Sequence, residues 1–468
     1  MFLNNAFEIL NKDTVAGSFV IEKSPLGVSA FLTEDQGLPL WFGDITDWLE
    51  NRQAPKHRKS IAGLLAEIGC RDIDGFARVT HALSLNDTLW VREAGSPLSW
   101  DEVSLYRNPF DETIARIAFE GGLYGRQFSS TSPEFTTEGA YQKCWIRQGE
   151  EILLCKGGGE GVGEPGLEPY SEMYAAQVAK AFGVRHVPYE AGMYRGRLVS
   201  FCPLFSDEET GFLPAYKVLP DLRNVGAMLQ YFEEHDAGED FRRMIVLDAL
   251  IINTDRHAGN YGVLFNTETF EIQGMAPLFD HNMALLPFAQ EEDFREENIG
   301  KYLSERPVRI GNDFNEIAHA LLTPAIKADL QNLNGFRFDR ETEYALPEWR
   351  LKALEGIVNT QIKNILQDKH LYIPGPAAPE MIVSDAAWEL SGCGEARYLL
   401  AAAVPDGIEC TLLAADFSVL EQDVFEGLLP HEAGRQFLSG LGYRAELSCE
   451  KDFEKLLQKM QKKSGEGR

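Results

Sequence analysis

The sequence predicts an α+β fold in two lobes, strand-rich first and helical second, with an N-terminal extension and a small C-terminal α+β unit. Three observations predict it. Residues 241–252 place apolar side chains at i, i+3, i+4 and i+8 from Phe241, the spacing of a buried helix, and deliver the polar loop Asn253-Thr254-Asp255-Arg256-His257-Ala258-Gly259-Asn260. A hairpin follows, residues 261–265 and 270–273 about a turn at 266–269, and then the apolar run Pro277-Leu278-Phe279 ending in Asp280. Upstream, a strand-like segment at 151–155 leads into Lys156 and then into a helix at 171–182 closed by Gly183.

Taken in order, residues 1–125 read as an accessory region packed on the strand-rich lobe. They hold a strand at 17–22, a helix at 57–68 ended by Gly69, and a strand at 84–92. The short basic patch Lys56-His57-Arg58-Lys59 is the solvated start of a helix, since no helix-turn-helix follows it. Trp90 and Trp100 are core packing between this region and the next. Residues 126–205 form the strand-rich lobe, whose last strand is 197–205. Residues 206–373 form the helical lobe, with helical spacing again at 315–333 and 349–369. Pro374-Gly-Pro-Ala-Ala-Pro379 is a linker at 374–379. Residues 380–468 form a separate α+β unit with strands at 397–403, 409–414 and 444–448, a helix-rich stretch at 420–438 and a charged terminal helix from Lys451.

Composition excludes some functions. A chain of 468 residues, 44% apolar, can bury large cores, and its net charge of −28 argues against direct nucleic-acid binding, which needs clustered Lys and Arg. The seven Cys are scattered without a C-x-x-C pair, so neither a zinc site nor a disulfide framework is expected. That usage fits a reducing cytoplasm. The N-terminus lacks a basic region and apolar core suited to secretion, and no run approaches the roughly 18 apolar residues of a membrane span. The expectation is a cytoplasmic protein without a membrane partner.

Chemistry enters at the polar loop. Asp255 and Asn260 have the D-x-x-x-x-N spacing of a kinase catalytic loop, and Asp280 stands where a second metal-binding carboxylate belongs. Phosphoryl transfer needs a held magnesium ion, an oriented hydroxyl and screened charge, with no covalent intermediate. Magnesium prefers hard oxygen ligands, which suits Asn260 and Asp280, and leaves Asp255 to take or orient the hydroxyl proton. These assignments turn the predicted fold into a bilobal protein-kinase-like one.

The order Asn-Thr-Asp-Arg-His-x-x-Asn followed by Pro-Leu-Phe-Asp resembles the HipA-like bacterial Ser/Thr kinases, relatives of the protein kinase and phosphatidylinositol kinase fold. The resemblance covers about residues 126–370 and departs from better-known members at both termini. It implies Asp255 as the catalytic Asp, and Asn260 and Asp280 as metal ligands. Arg256 either pairs with Asp248 or faces a phosphate, and His257 either braces the loop or moves protons. The segment from Phe135 to Trp145 resembles the family's Gly-Ala-x-x-Lys nucleotide loop, with Gly139 and Lys143 as its nucleotide contacts. Lys156 is the nucleotide lysine, and Glu172, in the first turn of its helix, holds it against the phosphates. Phe201, Cys202 and Leu204 are candidate adenine contacts at the hinge. In the family the nucleotide loop can be autophosphorylated, for which Thr136, Thr137 and nearby Ser129, Ser130 or Ser132 offer hydroxyls. Gly161-Val-Gly163-Glu-Pro-Gly166 matches G-x-G-x-x-G only formally, because it does not join a strand directly to a helix.

The sequence therefore predicts an ATP- and Mg2+-dependent HipA-like Ser/Thr protein kinase, with a protein substrate and a possible regulatory protein partner. Two alternatives stand beside it: a kinase-fold enzyme with another acceptor or AMP transfer, and a nucleotide-binding interaction module without catalysis.

Overall fold

In the computed structural model, which describes residues 5–24, 27–52, 70, 72–110, 143–159, 166–367, 386–390, 396–404, 407–425, 430–441, 443, 447, 451, 453 and 455–457, the chain begins with an antiparallel sheet. Its strands β1 (Ala6–Asn11), β2 (Thr14–Ser24), β3 (Gly27–Asp35) and β4 (Leu89–Glu93) lie in the order β3-β2-β1-β4. Helices α1 (Ile45–Glu50), capped by Asp44, and α2 (Ile73–Thr80), capped by Asp72, pack with the sheet around Phe7, Phe19, Ile21, Trp48 and Phe76. The strand expected at 84–92 starts only at Leu89. The Asp87 carboxylate accepts the Leu89 N–H at 2.8 Å and Ser84 Oγ accepts the Asn86 N–H at 3.1 Å, so 84–87 is turn rather than ladder. The helix at 57–68 and the patch at 56–59 lie outside the described residues.

Trp90 and Trp100 do join this unit to the next. With Leu10, Leu85, Val103 and Leu105 they form a core that includes Ile152, against which Trp145 and Leu204 pack. Those last three belong to a second antiparallel sheet or its end: β5 (Lys143–Gln148), β6 (Glu151–Gly157), β7 (Glu190–Tyr194) and β8 (Arg197–Pro203), in the order β5-β6-β8-β7. Helix α3 (Trp100–Val103) precedes it in the chain, and α4 (Glu168–Phe182) packs on it. Helix α4 begins three residues before the expected start because Glu168 and Pro169 suit a first turn. Glu172 therefore sits in the second turn, not the first.

The helical part is built around one large core. Strand β9 (Thr210–Pro214) leads through α5 (Ala215–Val218) and α6 (Val225–Glu234) to α7 (Gly238–Ile251). Ten of the residues of α7 are buried, so this helix is the axis on which the others pack. Strands β10 (Gly262–Asn266) and β11 (Ile272–Met275) then form the expected hairpin and pair with β9 in the order β11-β10-β9. Helices α8 (Glu296–Ser304), α9 (Phe314–Ala320), α10 (Pro324–Leu333) and α11 (Glu348–Gln367) complete this helical part. The helical span at 315–333 is broken at 321–323, where Thr323 accepts the Ile326 N–H and Pro324 opens a new helix.

Beyond it lies a four-stranded meander, β12 (Ala386–Glu389), β13 (Ala396–Val404), β14 (Gly407–Ala414) and β15 (Val419–Phe425), against which α12 (Pro430–Gly440) packs. The stretch expected to be helix-rich at 420–438 is thus a strand followed by a helix. Antiparallel pairing from Ile408↔Phe425 to Leu413↔Val419 captures its first half. The linker at 374–379 and most of the strand at 444–448 lie outside the described residues. Among the described residues no helix is long and apolar enough to cross a membrane.

Candidate active site

The site starts from a pair of strands. Lys143 and Lys156 are directly opposed across β5 and β6, and Ser200 of β8 opposes Lys156 in turn. Because successive side chains alternate faces, Lys143, Leu154, Lys156 and Cys202 share one face, while Cys144, Cys155 and Phe201 take the other. Both lysines are buried, at 7% and 5% exposure, which is rare for ammonium groups without anionic partners. Lys156 has two such partners. Its Nζ donates to Glu172 from α4 and, at 2.5 Å, to Asp280 Oδ1.

Glu172 does more than neutralise the lysine. Its other oxygen accepts the His281 N–H at 2.7 Å, so one carboxylate ties strand, helix and the loop after Phe279 together. That loop is held on a second side, where the Asp280 N–H donates to Tyr189 Oη at 3.0 Å. Asp280 itself has φ +57°, a left-handed conformation that costs a non-glycine residue free energy and points to an over-determined position. The run that carries it is not a strand. It makes only a bridge, Leu278 with His186, through N–H···O bonds of 2.9 Å at Val187 and Leu278.

The loop after α7 is closed by its own polar groups. Asn253 Nδ2 donates to Asp248 Oδ1 at 3.0 Å while its Oδ1 accepts the Asp255 N–H at 3.1 Å. Asn260 Nδ2 donates to the Asp255 carbonyl at 2.9 Å. Arg256 pairs with Asp248, Nε to Oδ2 at 2.9 Å, and donates to the Asn260 and Phe279 carbonyls at 2.8 Å each. Another nitrogen of the guanidinium meets His281 Nδ1 at 3.0 Å. It is buried and joins the Asp255 loop to the Asp280 loop. His257 also braces: its Nδ1 accepts the Gly259 N–H at 3.1 Å.

Electrostatics separate the two aspartates. Burial disfavours the charge on Asp280, but the Lys156 and Lys143 ammonium groups outweigh it and hold its carboxyl well below the usual carboxylate range. Burial instead pushes Asp255 up to about 7, with the Asp280 charge adding to the rise and Arg309 opposing it. One carboxylate is thus fixed as an anion and the other is poised to exchange a proton near neutrality. Burial, with the Arg309 charge, pushes His257 down to about 4 and keeps its ring neutral. Asp255 and Asp280 leave 18% and 20% of their side chains exposed, so both remain reachable.

Several residues of the site carried no sequence signal. Arg309 NH2 donates to Asp255 Oδ1 at 3.0 Å from a segment between α8 and α9. Tyr189 and the Glu168 carboxylate, which accepts the Gly159 N–H at 2.9 Å, are likewise outside any motif. Gly158 lies so close to Gly166 that a Cβ there would meet its Cα at 2.4 Å. The hinge candidates divide: Cys202 packs on the lysine face with Ala176, Tyr189 and Phe279, Leu204 packs toward Trp90 and Trp100, and Phe201 lies on the far face beside Cys155. Phe201 is therefore not in reach of the lysine face by its ring, because strand alternation turns it away. Gly139, Thr136, Thr137 and the serines at 129, 130 and 132 lie outside the described residues.

Among the described residues no cluster of three or more His, Cys, Asp or Glu side chains is built to cage a metal. A magnesium ion carried with a nucleotide needs fewer protein ligands, because phosphate oxygens and water complete its shell. Asp280, kept ionised, and the amide oxygen of Asn260 are hard donors of the right kind. The two lysines beside them fit polyphosphate charge.

The order of parts, strand lysine, helix glutamate, Asp255 loop and second carboxylate, is the order a kinase site needs. No protein-family model matches the chain, and no curated protein matches it. Solved structures similar to it include the following two. The Helicobacter pylori proinflammatory kinase CtkA is 18% identical with a TM-score of 0.37, over 48% of this chain and 91% of its own. HipA of Shewanella oneidensis MR-1, from a toxin–antitoxin system solved with HipB and its operator DNA, is 12% identical with a TM-score of 0.41, over 78% of this chain and 100% of its own.

Proposed function

We propose that the chain is an ATP- and Mg2+-dependent phosphotransferase of the HipA-like kind, moving the γ-phosphoryl group of ATP to a Ser or Thr hydroxyl of a protein. The observation that carries this reading is the buried centre of Lys156, Glu172 and Asp280, joined to the Asp255 loop by Arg256, which donates to the Phe279 carbonyl and meets His281. Lys156 and Lys143 would face the phosphates, and Asp280 with Asn260 would hold magnesium, which supplies charge neutralisation when bound. Asp255 accepts the acceptor hydroxyl's proton, the hydroxyl oxygen bonds to the γ-phosphorus, and the bond to the bridging oxygen breaks as ADP leaves. Neutral His257 and Arg256 keep the loop in shape without exchanging the proton.

The test is Mg2+-dependent ATP binding and ADP formation by wild type, Asp255→Asn and Asp280→Ala. Asp255→Asn should bind MgATP as wild type does and lose turnover by about 10²-fold or more. Asp280→Ala should lose both turnover and the Mg2+-dependence of binding. ADP formation unchanged in Asp255→Asn would sink the proposal.

A further inference from the structure

We infer that Arg309 is the positioning residue for the base: it grips one oxygen of Asp255 and leaves the other for the acceptor hydroxyl. The inference rests on the phosphotransferase reading above and names a part of that machinery that no motif contains.

The geometry is a two-point hold. Arg309 Nε donates to the Thr254 carbonyl at 3.3 Å, and NH2 donates to Asp255 Oδ1 at 3.0 Å. The Asp255 backbone is already fixed on both sides, its N–H by Asn253 and its carbonyl by the Asn260 amide and the His257 N–H. What remains free in the loop is the rotation of the carboxylate, and the guanidinium removes it. A planar guanidinium holding a carbonyl and a carboxylate at once sets direction as well as distance, which a lysine in the same place would not.

Arg309 is itself held in place. Arg306 stacks on Tyr302 at 4.1 Å, Ile310 is buried, and Gly311, at φ +85°, approaches Ile317 so closely that a Cβ would meet its Cβ at 2.9 Å. The Arg309 side chain is only 11% exposed. Two other cations near the loop are committed elsewhere, Lys156 to Glu172 and Asp280, and Arg256 to Asp248. Arg309 is thus placed to orient the carboxylate toward the in-line path between hydroxyl and γ-phosphorus.

The experiment compares Arg309→Met, Arg309→Lys and Arg309→Ala with wild type and Asp255→Asn, using MgATP and reading ADP release with water and the chain itself as acceptors. Arg309→Met should lower kcat by about 10²-fold, while the KM for ATP stays within about threefold because nucleotide contacts are untouched. Arg309→Lys should fall between, and millimolar guanidinium ion should restore part of the rate to Arg309→Ala. Wild-type kcat in Arg309→Met beside an inactive Asp255→Asn would overturn the inference and leave the phosphotransferase reading standing. So would a parallel loss of kcat and melting temperature that neither lysine nor guanidinium repairs. Absence of ADP release from wild type would overturn the phosphotransferase reading, and this inference with it.

Discussion

Asp255 is held in a state that costs the folded chain stability at neutral pH. Its carboxyl titrates at about 7 because burial and the Asp280 charge oppose ionisation. Below about pH 4 it is protonated whether folded or unfolded, so no penalty applies; the penalty grows as pH rises toward 7 and is complete above it. Asp255→Asn should therefore stabilise the fold at pH 8 by roughly 1–3 kcal/mol, a gain that disappears near pH 4. Denaturant titrations at the two pH values check this, and an equal effect at both would contradict it. Tyr189→Phe removes the acceptor of the Asp280 N–H and should cost about 1–3 kcal/mol by leaving a buried donor unpaired. At this scale the sequence was informative where chemistry needs a particular residue type at a fixed spacing. Asp255, Asn260 and Asp280 stand in such a pattern, and Lys156 and Glu172 are close enough in sequence to belong to one strand and the next helix. Arg309 and Tyr189 come from segments whose approach only the fold creates, and no local pattern marks them.

Among elements, α7 and its loop act as a unit because one guanidinium joins them. Arg256 connects Asp248 on the helix with the carbonyls of Asn260 and Phe279. Arg256→Met should destabilise by about 3–5 kcal/mol, since it strands a buried aspartate, and Arg256→Met with Asp248→Asn should recover part of that. Thermal melts of the single and double variants measure it; additive losses would show that the two residues do not act together. A closer steric limit lies at the start of β10. A Cβ on Gly262 would sit 2.0 Å from the Leu213 carbonyl oxygen, so Gly262→Ala must push β9 from β10 and should lower stability by about 1–3 kcal/mol. Helices with strong apolar spacing were readable from sequence, as were strands bounded by turns. The exceptions have physical causes: the Asx turn at Asp87 shortened a strand, Pro169 lengthened a helix, Thr323-Pro324 divided one, and pairing with β14 drew 419–425 into a sheet.

At the scale of the whole molecule, cores define what can fold alone. The large core around α7 and the core around Trp388, Leu399 and Phe437 share no residue among those described. A chain ending at residue 373 should therefore keep its unfolding midpoint within a few degrees of the full chain and retain its ADP-forming activity. By contrast, the N-terminal sheet meets the β5–β8 sheet through Trp90, Trp100 and Ile152, so a chain beginning at residue 126 should unfold at much lower temperature. Calorimetry of the two truncated chains distinguishes these outcomes. The proposed function requires that the γ-phosphoryl group of ATP be transferred by means of Asp255. The most direct measurement gives parallel samples α-labelled and γ-labelled ATP with Mg2+, then maps any labelled residue in wild type and Asp255→Asn by mass spectrometry. Label on a Ser or Thr hydroxyl from γ-labelled ATP alone, lost in Asp255→Asn, is the expected result; label from α-labelled ATP, or label that survives the substitution, would contradict γ-phosphoryl transfer through Asp255.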